Sequence, residues 1–505
     1  MLSMHASNKG IAFLRLLIIG QFLAISGLGL SLHGENSYRF GATAQGIYDQ
    51  IMALELEPAR LALIRYNQSE PSNLVSDHLA SYIDVLYLYI SEDKDAMEAF
   101  KAVQDERLDR VYESDDESPW YRYVQAELRL HRAVVYIRFE KLYPAFRELN
   151  KANKLLRDNA RLHPEFLPTY KDLGLLHAAV GAVPPQYRWG LELLSSLNGT
   201  IEEGAAEMER VLEADPQTPF FQETEVLYAF LQLYLLNDGD KAWELSQQWN
   251  FRPERNKLQC FLLSTLAMRT GRNDIAIELL DAQPRGGSAQ DFPYLDFMLG
   301  LVKLRSLDPS ARLYFQSFLL RFKGENFRKA ARQKMAWAEL LRGNAEGYRE
   351  QMSRLEQRGN NRAGGDRNAT KESQRVALPN VSLLRARLLF DGAYYQRARE
   401  EINRIDPDQL TETEEVLEYY YRTGRILHGM EDYEGALSFY ERTISLGAED
   451  DSFFACNAAL QAGLIEEERG KNERAKQYFE RCLSLNPDEY KAGLHLQAKA
   501  GLDRL

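Results

Sequence analysis

"YYYRTGRILHGMEDYEGALSFYERTISL" (residues 419–446) and "AALQAGLIEEERGKNERAKQYFERCLSLNPDE" (residues 458–489) decide how this chain folds. The first stretch sets Gly424, Ala436 and Tyr440 at steps of 12 and 4. The second repeats those steps with Gly463, Ala475 and Phe479, then runs on to Cys482 and Pro487. Small residues let two antiparallel helices approach closely, the aromatic fills the gap to the next pair, and proline stops the second helix.

Weaker copies of the same template extend towards the N-terminus. Ala386, Ala398, Ile402 and Ile405 fit it, as do Ala133, Ala145, Leu149 and Ala152. Ala59, Leu63, Tyr66 and Pro71 match a second helix, Ala96, Phe100 and Val103 match another, and further units centre on Ala242, Ala276 and Ala311. After Ala311 the spacing leaves room for one degenerate pair, "FRKAARQKMAWAELLRGNAEGYREQMSRL" (residues 327–355). About eleven helix pairs result, with no strand-like alternation of any length.

The pattern resembles the tetratricopeptide repeat, specifically in the last three units and by periodicity elsewhere. That resemblance implies an all-α, right-handed superhelical solenoid of about eleven antiparallel helix pairs. The block "LGLLHAAVGAVPPQYRWGLELLSSLNGTIEEG" (residues 173–204) also resembles uncharacterised exported repeat proteins of Bacteroidota and, more loosely, a eukaryotic repeat family implicated in inclusion-body clearance. Neither likeness implies a defined activity.

That block departs from the template in one respect. Gly174 and Gly204 occupy the two small positions, yet they lie 30 residues apart instead of 12, so about 18 residues are inserted between the helices of one unit. Pro184 and Pro185 stop the first helix, "YRWGLELLSSL" (residues 187–197) has the length and spacing of a helix, and Asn198-Gly199 turns the chain back. The expectation is a helical insertion near 183–200 that lays Trp189 on the array as a cap. The alternative is a small-molecule binder or enzyme with a pocket for a sugar or anionic ligand near Tyr187, Arg188 and Trp189.

The 505 residues are 45% apolar and 27% charged, with a formal charge of -12. Such a balance suits a soluble array and argues against a nucleic-acid partner, which needs a concentrated Lys/Arg surface. The first 36 residues differ. After Lys9 and Arg15 comes "LLIIGQFLAISGLGLSLHG" (residues 16–34), the layout of a signal peptide and barely long enough for a membrane anchor. Residues 1–36 therefore read as a signal peptide or a retained tether, which places the protein in the cell envelope, periplasmic or anchored to the inner membrane and facing the periplasm. The three cysteines, Cys260, Cys456 and Cys482, sit in helical patterns without CxxC spacing and read as small core residues.

Residues 356–377 contain "EQRGNNRAGGDRNATKESQR", a Gly/Asn/Arg-rich stretch that reads as a flexible basic linker. It divides a degenerate array (40–355) from C-terminal tetratricopeptide-like repeats (378–505). No nucleotide-binding glycine loop, HExxH, GxSxG or CxxC occurs, and no two histidines lie three or four apart on one helix. "NDGD" (237–240) and "SEDKD" (91–95) read as helix caps and not as calcium loops. The sequence thus predicts no catalytic residue, cofactor or metal.

Function in a helical solenoid resides on the concave face, lined by first helices. In the last units one stripe of that face carries Leu383, Arg387 and Phe390; Tyr421, Arg425 and His428; Leu460, Leu464 and Glu467; one step earlier it adds Asn380 and Asn457. Arg387, Tyr421, Arg425 and Asn457 are the expected partner-binding residues, because guanidinium, amide and phenol groups hold a peptide backbone and its carboxylates. The resulting expectation is a non-catalytic scaffold that holds a protein partner in its groove, in an envelope assembly or secretion complex.

Overall fold

The small residues of the template lie where two helices touch. In the computed structural model, which describes residues 37–183, 196–355 and 359–505, a Cβ on Gly424 would sit 2.7 Å from the Tyr440 ring, and one on Gly463 would sit 2.5 Å from Phe479. A Cβ on Gly174 would sit 2.6 Å from the carbonyl oxygen of Gly204, so the degenerate unit uses the same close approach, backbone against backbone. Ala59, Ala145, Gly204, Ala242, Ala276, Ala311, Ala398, Ala436 and Ala475 are all buried. Ala96 is only half-buried, because its neighbours Met97 and Phe100 take the inward places.

Among the described residues eleven helix pairs follow one another. The first four are α1 (Ala42–Met52) with α2 (Leu56–Ser69), α3 (Val75–Ser91) with α4 (Lys94–Tyr112), α5 (Pro119–Arg138) with α6 (Leu142–Leu162), and α7 (Pro168–Gly181) with α8 (Ile201–Leu212). Next come α9 (Phe221–Leu231) with α10 (Gly239–Ser246), α11 (Lys257–Arg269) with α12 (Asn273–Asp281), α13 (Tyr294–Arg305) with α14 (Ala311–Arg321), and α15 (Arg328–Leu341) with α16 (Ala345–Ser353). A single helix, α17 (Gly364–Ser373), precedes α18 (Val381–Asp391) with α19 (Tyr395–Ile402), α20 (Thr413–Gly429) with α21 (Tyr433–Leu446), and α22 (Phe454–Glu468) with α23 (Asn472–Ser484). Helix α24 (Lys491–Arg504) covers the last pair. The degenerate pair expected over 327–355 is α15 with α16.

The turn inside each pair has a common device. Leu54, Glu92, Glu140, Asn237, Gly271, Leu307, Gly343, Ala393, Glu431 and Gly470 all have left-handed backbone. Between α7 and α8, where the insertion intervenes, the described positive-φ residue is Gly199 at φ +146°. Asp or Asn one position later then caps several second helices: Asp93 accepts from the amides of Asp95 and Ala96, Asp238 from Lys241, Asn344 from Gly347 and Asp432 from Gly435. "SEDKD" and "NDGD" are caps, as their composition suggested.

The coil winds tightly enough for turns far apart in sequence to meet. The Gln290 amide donates to the Leu54 carbonyl (2.6 Å) and Asn256 Nδ2 to that of Met52 (3.0 Å). Glu92 accepts from the Glu325 amide (2.9 Å) and from Asn326 Nδ2 (2.6 Å), and Arg362 pairs with Glu140 at 3.2 Å.

Residues 364–373 depart from the expected flexible linker by forming α17. Its composition is polar, but Ala369 is fully buried and Asp366 accepts from the amides of Phe327 (2.7 Å) and Ala330 (2.9 Å), which caps the N-terminus of α15. Glu372 accepts from Trp337 Nε1 (2.7 Å), Tyr348 OH (2.8 Å) and Gln333 Nε2 (2.6 Å). The basic residues nearby are used inside the chain: Arg375 pairs with Glu414 at 2.7 Å and Lys371 with Glu489. Hydrogen bonds to neighbouring helices, invisible in local composition, order this stretch.

Residues 1–36, 184–195 and 356–358 lie outside the described residues, and with them the apolar stretch 16–34 and Tyr187, Arg188 and Trp189. The flanks of the insertion are described. A Cβ on Gly181 would sit 2.5 Å from the Ile201 amide nitrogen, so the chain leaves and returns at one place. Gly199, at φ +146°, lies against His177. Among the described residues no helix is long and apolar enough to cross a membrane. Cys260, Cys456 and Cys482 are buried free thiols, with Cys456 Sγ 3.5 Å from Cys482 Sγ.

Candidate functional site

Three of the four expected groove residues form one hydrogen-bonded chain across α20 and α22. Asn457 Nδ2 donates to Tyr421 OH at 2.7 Å, Gln461 Nε2 donates to Asn457 Oδ1 at 3.3 Å, and Arg425 Nη1 donates to Tyr421 OH at 3.3 Å. Tyr421 and Asn457 are each only 2% exposed and Arg425 4%, so the chain fixes the guanidinium and offers little surface of its own. Asn380 is spent as the N-cap of α18, and Leu383 and Leu460 are core.

Arg387 lies one pair away and joins a different neighbour. Its guanidinium carbon is 5.0 Å from the centre of the Trp337 ring of α15, and Lys334 Nζ lies 3.4 Å from the same ring. The Arg425 guanidinium carbon in turn lies 5.0 Å from the centre of Phe390. Cations over aromatic faces thus run from α15 through α18 to α20, all first helices. Asp391 sits among them. Burial pushes its carboxyl up, but the cations around it, Arg387, Arg305 and Arg422 among them, hold it below the usual carboxylate range.

Among the described residues no carboxylate lies within ion-pair distance of Lys334, Arg387 or Arg425. Lys334 donates only to the neutral Gln333 side chain (2.7 Å), and Arg425 Nε, buried, has no hydrogen-bond partner. Burial, and then the Arg387 guanidinium, push the Lys334 ammonium down to about 7. Asp391 is the nearby acid, and cations that outnumber the acids around them are costly unless a further anion joins them. The sequence reading missed Lys334 and Trp337, which lie three residues apart in the degenerate unit where the template fails; their signal was "KMAW" on a first helix.

A second cluster lies wholly inside the N-terminal pairs. Lys171 of α7 points its ammonium at Glu223 of α9 (2.8 Å), Glu127 of α5 (3.2 Å) and its neighbour Asp172 (3.2 Å), and all four side chains have zero exposure. Glu127 Oε2 also accepts from Tyr82 OH (2.7 Å) and lies 3.2 Å from His78 Nε2, while Tyr48 OH donates to Glu223 (3.0 Å). Burial pushes the Asp172 carboxyl well above its ordinary range and Glu223 up to about 8. Burial acts likewise on Glu127, yet Lys171 and the hydrogen bonds from His78 and Asp172 hold it well below. Burial also keeps both histidines neutral, lowering His78 and taking His131 down to about 3. A lysine-aspartate pair inside the apolar helix "YKDLGLLHAAV" was the signal in the sequence.

A surface cleft of about 590 Å³ between the 283–291 loop and α14 is lined by Lys257, Asp291, Asp296, Tyr314 and Arg321. Its charges satisfy one another. Arg321 pairs with Asp296 (2.6 Å) and Asp291, and Lys257 Nζ donates to the Gln290 carbonyl (3.2 Å).

The tetratricopeptide-repeat family profile matches residues 417–447 and 457–489, the last two full pairs. A search of curated proteins finds no match. Similar solved structures include the human IFIT1 dimer with PPP-AAAA, at 15% identity over 92% of this chain and 98% of that one with a TM-score of 0.29. The TPR domain of P58(IPK) is 14% identical over 85% of this chain and 98% of that one, with a TM-score of 0.20. Naa15/Naa10 bound to HypK-THB is 14% identical over 87% of this chain and 67% of that one, with a TM-score of 0.21. The chain is an array of stacked helix pairs in which residues 417–489 carry the tetratricopeptide repeats.

Proposed function

We propose that this scaffold is non-catalytic and holds a carboxylate-rich peptide segment of a protein partner along the stripe of Lys334, Trp337, Arg387 and Arg425. The observation that carries this reading is the set of three inner-stripe cations with no carboxylate partner among the described residues. Arginine meets carboxylates through paired charge-assisted hydrogen bonds, so an acidic side chain or a C-terminal carboxylate is the fitting occupant. Trp337 and Phe390, both buried, hold those charges in place through their ring faces. An exported location, periplasmic or tethered through residues 16–34, and a place in an envelope assembly or secretion complex remain part of the proposal and rest on the basic start and apolar run of the sequence.

Fluorescence anisotropy with labelled peptides tests the reading. Acidic peptides should bind more tightly than their amide counterparts, and the difference should shrink as salt is raised. Arg387→Ala and Arg425→Ala should each weaken binding by roughly tenfold or more, the effect of losing a hydrogen bond between charged groups, with the helical circular dichroism unchanged. Equal affinity for acidic and neutral peptides would overturn the proposal. Fractionation of cells expressing the full chain tests the location, and recovery in the cytosol alone would remove that part.

A further inference from the structure

The geometry points to a divalent metal site of the zinc class inside the N-terminal pairs, formed by His78 of α3 with Glu127 and His131 of α5. His78 Nε2 lies 3.2 Å and His131 Nε2 3.7 Å from the same carboxylate oxygen, Glu127 Oε2, and the three ligand atoms all lie within 4.8 Å of one another. Bonds of about 2.0–2.1 Å to a tetrahedral ion put its ligands about 3.4 Å apart, between those two separations. Two imidazoles and a carboxylate are a donor set that suits zinc and its neighbours and not calcium or magnesium, which take oxygen alone. The search by spacing along one helix could not find this set, because His78 comes from a different helix pair.

Three further observations support an ion there. His131 is 1% exposed, and its Nε2, turned towards Glu127, has no hydrogen-bond partner. Its other nitrogen, Nδ1, is hydrogen-bonded to Ser81 Oγ (2.8 Å), which also accepts from Gln104 Nε2 (2.5 Å), and His78 Nδ1 is bonded to Tyr38 OH (2.7 Å). A second bond at the far side of the ring is how a protein fixes the tautomer and direction of a metal-bound histidine. The third observation is the division of the Glu127 carboxylate. Lys171 occupies Oε1, while Oε2, which also accepts from Tyr82 OH (2.7 Å), faces both imidazoles.

With every ligand buried, the ion's role is structural: it ties α3 to α5 and, through Glu127 and Lys171, to α7 and α9. His177, whose Nδ1 is 2.8 Å from Glu207 and 3.6 Å from Glu203, belongs to a more exposed trio of one histidine and two glutamates and serves as the control.

The test uses the purified full chain, stripped with a chelator and titrated with Co²⁺, then with Zn²⁺. We expect about one Co²⁺ per chain, visible absorption of the four-coordinate type and a Tm several degrees higher when the site is filled. His131→Gln and His78→Gln should lose that stoichiometric binding, and His177→Gln should keep it. Loss in His177→Gln with retention in His131→Gln would overturn the proposal, as would absence of stoichiometric uptake by the unmodified chain. Should the His78 and His131 variants fail to fold, X-ray absorption at the zinc edge of the unmodified protein decides: two imidazole ligands support the site, none or one overturns it.

Discussion

Between α22 and α23 the contact is a glycine edge against the Phe479 ring; between α5, α7 and α9 it is one lysine among three carboxyls. Both contacts are buried and both join helices of the same kind of pair, yet they draw on different physics. Apolar packing of a small residue against a ring needs only the right volumes at fixed spacing, so each repeat can settle against its neighbour independently. A buried ion cluster must have every member in place, because each charge left alone in a low dielectric is costly. The C-terminal repeats are therefore modular, whereas the N-terminal pairs stand or fall together.

The sharpest way to break that contrast is Lys171→Met. It leaves three carboxyls without their ammonium and should cost about 3–5 kcal/mol, the range for removing one partner of a buried ion pair. Urea unfolding followed by circular dichroism would show the N-terminal pairs melting first, as a separate transition. A single unshifted transition would mean that the cluster does not govern this region.

Glycine substitutions probe the packing that the two regions share. Gly204→Ala and Gly463→Ala should each cost about 1–3 kcal/mol, the usual range for overpacking. Gly204→Ala belongs at the upper end, since its Cβ would meet backbone of α7. The Phe479 ring opposite Gly463 is a side chain and can shift, although Gly501 presses on its other edge. Thermal unfolding of both variants ranks them, and the reverse order would count against a backbone contact as the stiffer one.

The cationic stripe gives a pH test. In the folded chain Lys334 loses its proton near 7 instead of near its ordinary 10.5. The folded protein alone therefore gains stability as pH rises from about 7 towards 10, where only the unfolded chain still holds that proton. Binding of an acidic peptide runs the other way, because the anion favours the ammonium. Affinity should fall by up to about tenfold between pH 6 and pH 8.5, and Lys334→Met should flatten the profile in the same anisotropy assay.

The smallest effect concerns the left-handed turns. Glu431→Gly should stabilise the chain by about 0.5 kcal/mol, the relief of a strained backbone less the entropy that glycine loses on folding. Gly470→Ala at the equivalent turn should destabilise it by about 1 kcal/mol. Chemical denaturation midpoints of the two variants would carry opposite signs.

Much of the scaffold was legible in residues alone. The template of small and bulky residues marked ten second helices, four of them by the step of 12, and Asn198-Gly199 marked where the chain rejoins the array ahead of α8. Arg387 and Arg425 were legible as inner-stripe cations because the template was strong around them. Lys334 and Trp337 were not, since their unit is degenerate, and α17 was not, since its helix depends on Asp366 and Glu372 bonding to α15 and α16.

What the sequence determined by itself is the pairing of helices, because spacing of small and bulky side chains sets which faces can touch. Only the tertiary structure decided which polar groups meet. His78, Glu127, Lys171 and Glu223 come from four helix pairs and are silent as a set until the coil winds them together. The same winding left Lys334, Arg387 and Arg425 around Trp337 and Phe390 with no described carboxylate in ion-pair contact. Electrostatic interaction depends on distance through space, and distance along the chain carries no record of it.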